Sequence, residues 1–288
     1  METLIQIGYL VALVCFVLGI KGMSHPDTAR RGNWTLALGM GLATLVTLMQ
    51  PGLGNLPLIL ISLGLGSWWG MRMSSKAQMT EMPQMVSLLN GFGGLAAALV
   101  ALSEVVDMFY GDALVNLLME AMGMGVLGQY YLLFYVVTLM ISLAVGGISF
   151  TGSVMAMAKL DGKVSGQPLR FPMQSLVTNG LLVIMLILTV AIATWPSSYT
   201  LPLIVILMIL SLVYGVLFVL PIGGADMPVV ISFLNSLTGL TAATTGLLFD
   251  NRVMLMGGVL VGASGIYLTM LMCKAMNRTL GAVLLGQF

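Results

Sequence analysis

The stretch that decides the fold is DMPVVISFLNSLTGL, Asp226 to Leu240, because the chain carries it twice; the other copy is EMPQMVSLLNGFGGL, Glu81 to Leu95. At a fixed offset of 145, an acid, Met, Pro, Ser, Leu, Asn, Gly and Leu recur. The pairs are Glu81/Asp226, Met82/Met227, Pro83/Pro228, Ser87/Ser232, Leu89/Leu234, Asn90/Asn235, Gly94/Gly239 and Leu95/Leu240. Leu and Gly matches carry little weight in a chain rich in both. The acid-Met-Pro opening, with Ser and Asn at matched later positions, carries far more. Each copy reads as the start of a membrane helix. The acid can cap orphan backbone N–H groups and favours the positive end of the helix dipole. Pro is tolerated in a first turn, where its missing N–H costs nothing. The Asn then lies about 12 Å deeper than the Met, at 1.5 Å per residue, well inside a hydrocarbon layer of about 30 Å. Two uncharged amides at similar depth form the expected polar centre.

Composition supports the membrane reading. Of 288 residues 59% are hydrophobic and 7% charged, and the mean hydropathy is +1.05, far from a soluble domain. The two cysteines, Cys15 and Cys273, lie in apolar segments and offer no disulfide framework or metal spacing. The first apolar run lacks the basic segment and small-residue site of a cleavable signal peptide. Nine apolar spans are expected at about 3–20, 33–50, 56–71, 84–103, 126–158, 175–194, 201–220, 227–249 and 253–273. The fifth is long for one crossing, so a turn is expected before Tyr130. Since only helices and closed barrels satisfy their backbone in lipid, the fold class is an all-α polytopic bundle of about nine transmembrane helices.

Lys and Arg set the orientation. Lys21, Arg30, Arg31, Arg72, Lys76, Lys159, Lys163, Arg170, Lys274 and Arg278 fall on the side of the C-terminus, and Arg252 alone on the other. A cytoplasmic C-terminus is therefore expected. The longest opposite loop, about 104–125, is acidic, with Glu104, Asp107, Asp112 and Glu120.

Either the repeat extends to the following helix, or two Gly/Ser-rich helices resemble one another because close packing needs small residues. Gly147-Ile148-Ser149 runs to Lys159 as Gly262-Ala263-Ser264 runs to Lys274. Two parallel hairpins, 84–159 and 227–274, are expected to pack as a pseudo-symmetric core, an arrangement used by transporters with a polar site between repeats. Thr238, Thr241 and Thr245 fall within about 60° of one another at 100° per residue, adjoining Asn235. Ser149, Thr151 and Ser153 add hydroxyls on the fifth span. Such residues serve either as interhelical glue or as a water-assisted proton path. Gly123 to Gly128 spells GxGxxG, but no strand precedes it, as a dinucleotide fingerprint requires. His25, the sole histidine, reads as a solvated loop residue, and Trp34, Trp68 and Trp69 as interfacial anchors.

Glu81-Met82-Pro83, Phe150-Thr151-Gly152-Ser153, the run Gly223-Gly224-Ala225-Asp226-Met227-Pro228-Val229-Val230 with Leu234-Asn235-Ser236, and Met272-Cys273-Lys274-Ala275-Met276-Asn277-Arg278 resemble the membrane domain of proton-translocating NAD(P) transhydrogenase, in particular its beta subunit. The resemblance covers essentially the whole chain. It implies one transmembrane proton-channel domain over 1–288 in a bacterial inner membrane, as part of an enzyme that passes hydride between NAD(H) and NADP(H) while protons cross. It also implies an alpha subunit carrying the NAD(H) domain and membrane helices, an NADP(H) domain after the last helix, and a homodimeric complex. No cofactor, metal or nucleic acid is assigned to this chain. The expected proton path comprises Asn90, Asn235, Ser153, Thr238 and Thr245. Coupling to the nucleotide domain falls to Asp226, Glu81, Lys274 and Arg278.

Two departures stand out. A membrane histidine of the family often occupies the position of Asn90, and an amide cannot exchange a proton near neutral pH as imidazole does. The chain also stops at Phe288 with no Gly-rich nucleotide loop after its last helix, so a fragment of a longer subunit is expected. The rival readings are a secondary transporter with a polar site at the Asn90/Asn235 interface and a non-catalytic scaffold. The apolar spans are read as carrying no membrane-embedded carboxylate, with Glu104 assigned to the loop, which weighs against an ion-coupled transporter.

Overall fold

The computed structural model describes residues 2–110, 123, 126–194 and 200–284. Among these residues it contains nine long helices: α1 (Glu2–Met23), α2 (Pro26–Leu48), α3 (Leu56–Lys76), α4 (Met82–Tyr110), α5 (Val126–Leu160), α6 (Gln174–Thr194), α7 (Thr200–Val219), α8 (Met227–Leu248) and α9 (Arg252–Ala275). A short α10 (Leu280–Leu284) follows, and no strand occurs among the described residues. Asp112 and Glu120 lie outside them. The expected turn before Tyr130 does not form: α5 runs unbroken for 35 residues. With no proline in it, the backbone ladder has no reason to break.

Seven of the nine helices, all but α2 and α3, are long and apolar enough to cross a membrane. The other two are placed by packing and by connectivity. α1 and α2 lie antiparallel along their length, with Gly8 against Val46, Gly39 against Cys15 and Gly22 against Gly32, so α2 spans the same depth as α1. Ala12, Ala43 and Val253 form one buried cluster, which puts the α1 N-terminal half and the α2 C-terminal half beside the start of α9. That is the end where α4 and α8 finish. α4 starts at the opposite end, so α3 has to run the full length of the bundle. None of its residues is buried against the rest of the chain.

Both copies of the repeat take one local form. A 3₁₀ turn ends on the acid, Met79–Glu81 in one and Gly224–Asp226 in the other, and a helix starts on the following Met. Both hairpins close on the repeated glycine. A methyl group on Gly94 would stand 2.8 Å from the Gly146 carbonyl, and one on Gly239 would stand 2.4 Å from the Gly262 amide nitrogen. The repeated serines tie each pair: Ser87 Oγ donates to the Ser153 carbonyl (2.8 Å) and Ser232 Oγ to the Gly265 carbonyl (3.1 Å). The first hairpin is longer, with helices of 29 and 35 residues against 22 and 24. α5 is the central helix, packed against α4, α6, α7 and α8. Apolar clusters seal it at both ends: Val105, Leu139, Met140, Leu143, Ile204 and Leu207 at the Glu104 end, and Ala156, Val219, Ile222, Met227, Val230 and Leu234 at the Asp226 end.

Ser165, in the exposed α5–α6 loop, and Asp107, in the last turns of α4, lie at opposite ends. With Cys15 and Cys273 replaced by Ala, cysteines at these two positions are expected to label from opposite faces of sealed vesicles, Ser165→Cys from the cytoplasmic one. Labelling from one face would break the nine-crossing topology.

Candidate functional site

The centre of the site is an amide held among hydroxyls where α4, α5 and α8 meet. Asn90 is 8% exposed. Its Nδ2 donates to Ser153 Oγ at 2.9 Å and, more weakly, to Ser149 Oγ at 3.4 Å. Ser149 in turn bonds Thr238 Oγ1 (2.5 Å) and donates to the Leu234 carbonyl (3.2 Å). Small residues make this contact close: Gly91 lies against Ser153, and Gly93 against Thr238. The Asn90 Oδ1 is buried and has no hydrogen-bond partner. That absence holds among the described residues, where an unpaired buried acceptor would cost about 1–3 kcal/mol.

The structure gives the two amides different surroundings. Asn235 lies at the level of Asn90, since its neighbours Leu234 and Thr238 both meet Ser149, but it is only half-buried. It makes no side-chain hydrogen bond with a described residue, and Ser264, the helix-9 counterpart of Ser149, turns back to the Val261 carbonyl. Ser153 and Thr238 join the Asn90 network. Thr245 does not: it is buried and returns its hydroxyl to the Thr241 carbonyl of its own helix. Further along, Ser142 on α5 bonds Thr244 on α8 at 2.9 Å.

A second cluster lies at the Asp226 end. Asp226 is 3% exposed, and its Oδ2 accepts from Arg278 Nη1 at 2.6 Å. The expectation that both acids cap their helices needs correction. Asp226 forms no cap hydrogen bond, because its carboxylate is turned to the guanidinium. The exposed Glu81 instead accepts from the Gln78 amide (3.1 Å) and closes the 3₁₀ turn before α4. Lys274 is exposed and lines, with Arg278, Asn277 and Thr279, an open cleft of about 410 Å³. The loop carrying Asp226 is strapped down from two sides, and the neighbouring end of α5 is tied to α4. Lys159 Nζ donates to the carbonyls of Leu220 (2.6 Å) and Ile222 (2.8 Å). The Gly224 amide donates to Gly166 and the Leu169 amide to Leu220. Gln84 reaches across from α4 to the Leu160 carbonyl (3.0 Å).

Residues 5–288 match the family described as NAD(P) transhydrogenase beta subunit. The chain belongs to that family. It is 40% identical over 287 residues to the NAD(P) transhydrogenase subunit beta of Rhodospirillum rubrum, and equally to the same subunit from a named strain of that species. All of this chain and 59% of each relative are covered, so it spans less than two thirds of the length of those transhydrogenase subunits. The assignment gives no support to the secondary-transporter reading.

The residues just before the GxGxxG match, 111–122, and its Met124 and Gly125 lie outside the described residues. Sequence reasoning missed Lys159 as a buried strap, having counted it as a topogenic charge and as the end of the extended repeat. A lysine just before a Gly-containing turn gives no signal of which carbonyls it meets. It also missed Ser142, Thr138 and Tyr135, although a helical plot of α5 aligns them with Ser149 and Ser153.

Proposed function

We propose that this chain is the proton-conducting membrane part of a transhydrogenase, coupling hydride transfer between NAD(H) and NADP(H) in partner domains to proton movement across a bacterial inner membrane. The observation that carries the proposal is the unpaired, buried Oδ1 of Asn90 inside a hydroxyl chain that links both halves of the repeat. An amide does not titrate near neutral pH, so Asn90 acts as an acceptor for a water or hydronium passing between Ser153 and Thr238. Asn235, half-buried at the same depth, offers its amide to the neighbouring side, where helices of the alpha subunit complete the path. The Asp226–Arg278 pair is the coupling contact. Movement of the NADP(H) domain on Lys274 and Arg278, on the cytoplasmic side, reaches the start of α8 through it. NADP(H) sits in a further domain of the same subunit, NAD(H) on the alpha subunit, and the whole forms a homodimer.

The test uses the complete enzyme in liposomes. Asn235→Leu keeps volume but deletes donor and acceptor. It is expected to cut proton-linked turnover by about 10²-fold or more while hydride exchange confined to the nucleotide domains continues. Asn90→His is expected to keep turnover and to add a pH dependence below the imidazole value of about 6.5, because burial disfavours the charged form. A folded Asn90→His enzyme with an unchanged pH–rate profile and a titrating imidazole would place the proton path elsewhere.

A further inference from the structure

Tyr135 on α5 donates its phenolic hydrogen to Glu104 Oε1 on α4. Both residues are half-buried. Tyr135 packs against the cluster of Ala101, Val105, Leu139 and Met140. The pair lies at the opposite end of the bundle from Asp226, inside the apolar spans Met79–Met108 and Tyr130–Leu160. Glu104 is thus a carboxyl group set just within the membrane-spanning part of α4, and such a group is a functional candidate by its cost alone.

Its position relative to Asn90 gives it a role. At 100° per residue Tyr135, Thr138, Ser142, Ser149 and Ser153 fall within about 60° of one another on α5. They form one polar stripe about 27 Å long at 1.5 Å per residue, which nearly spans a hydrocarbon layer of about 30 Å. Ser153 and Ser149 hold Asn90 at one end of it, Ser142 bonds Thr244 in the middle, and Tyr135 holds Glu104 at the other end. α4 follows the same logic: Ser87 and Asn90 face α5 at one end and Glu104 at the other, with Gly94, Ala98 and Ala101 between them. Thr138 and Ser142 are buried with the stripe.

We infer that Glu104, held by Tyr135, is the proton-exchange site at the outer end of the membrane path. This rests on the proton-path reading above. A proton from the water on that side bonds to a Glu104 carboxylate oxygen, giving the neutral acid. Loss of the same proton toward Ser142, or back outward, regenerates the carboxylate that the Tyr135 hydroxyl stabilises. Among the described residues, the other titratable groups that act on Tyr135 are Asp107 on α4 and Tyr131 on α5. The α8–α9 turn brings Asp250 and Arg252 to the same end of the bundle. α6 carries no titratable side chain, and Tyr214 of α7 packs against the same apolar cluster as Tyr135 while stacking on Phe218.

The experiment uses the complete enzyme, full-length beta subunit with its alpha partner, in liposomes with the nucleotide domains outward and the internal pH set by trapped buffer. Glu104→Gln is expected to slow proton-linked turnover at least about tenfold and to abolish its dependence on internal pH, leaving its dependence on external pH intact. Glu104→Asp is expected to restore the internal-pH dependence, which a purely structural role would not do. Tyr135→Phe removes the donor to Glu104 and is expected to slow proton-linked turnover as well. Glu104→Gln with wild-type rate and internal-pH dependence, in a preparation where Asn235→Leu uncouples, overturns the role of the pair while the path stands. Wild-type behaviour of both variants overturns the pair and the path together.

Discussion

Asp226→Ala is expected to destabilise the subunit by about 3–5 kcal/mol, the range for removing one partner of a buried ion pair. The carboxylate is 3% exposed and lies 2.6 Å from Arg278 Nη1, beside Met227, Val229 and Val230, which are fully buried. Truncation leaves a partly buried guanidinium without that partner, and water cannot solvate it fully. Arg278→Ala makes the reciprocal defect, a buried carboxylate facing apolar side chains. Asp226→Ala combined with Arg278→Met removes both charges, so its cost is expected to fall well short of the sum of the single changes. Unfolding midpoints of the full-length subunit in mild detergent give the cycle. Strict additivity would mean that the two groups do not act as a pair. Proton-linked turnover is expected to disappear in the single variants and to stay absent in the double one, because removal of both charges restores packing without restoring the contact between α8 and the segment after α9.

The second large effect is expected at Gly239. Its α-carbon faces backbone: an added methyl group would stand 2.4 Å from the Gly262 nitrogen and 2.9 Å from the Gly258 carbonyl oxygen. Neither atom can swing aside as a side chain would. Gly239→Ala therefore forces α8 and α9 apart along the contacts that Gly246 makes with Leu255 and Gly265 with Ser236. In lipid such close packing is the main attraction between helices. A loss of about 3 kcal/mol is expected, at the upper end for an overpacked core. Gly257→Ala, on α9 with nothing within 4 Å of the added group, is the control. It is expected to be neutral or stabilising by up to about 1 kcal/mol, since Ala favours a helix over Gly. Equal midpoints for the two variants would show that the α8–α9 seam does not depend on contact between backbones. Because α8 also carries Thr238 to Ser149, Gly239→Ala is expected to lower coupled turnover, and Gly257→Ala is not.

Much of the architecture was legible because the membrane reduces the choices. Long apolar runs have to become helices when no water is present to bond the backbone, and turn residues mark where they end. The duplicated acid-Met-Pro segments announced two like hairpins, and both form with the repeated Gly and Ser in like places. Asn90, Ser153 and Thr238 could be grouped in advance because depth along a helix follows from residue count. The family resemblance rested on strings such as GGADMPVV, whose order is local and needs no contacts to be read.

What the linear order left open was everything that depends on which faces meet. Glu81 and Asp226 occupy equivalent positions, yet one closes a 3₁₀ turn and the other pairs with Arg278, because only the second hairpin has the segment after α9 folded against its mouth. Asn90 and Asn235 are equivalent in sequence, but only Asn90 meets a helix that presents Ser149 and Ser153. Thr245 shares a stripe with Thr238 and still bonds only its own helix. Lys159 looked like a surface charge until Leu220 and Ile222 brought two carbonyls to it. Glu104 read as part of an acidic loop, and only the continuation of α4 to Tyr110 placed it beside Tyr135. Sequence determined the helices, the repeat and the depth of each polar group, since these follow from local backbone chemistry and a fixed rise per residue. Tertiary structure decided which polar groups found partners, since a hydrogen bond needs about 3 Å between atoms that the chain holds tens of residues apart.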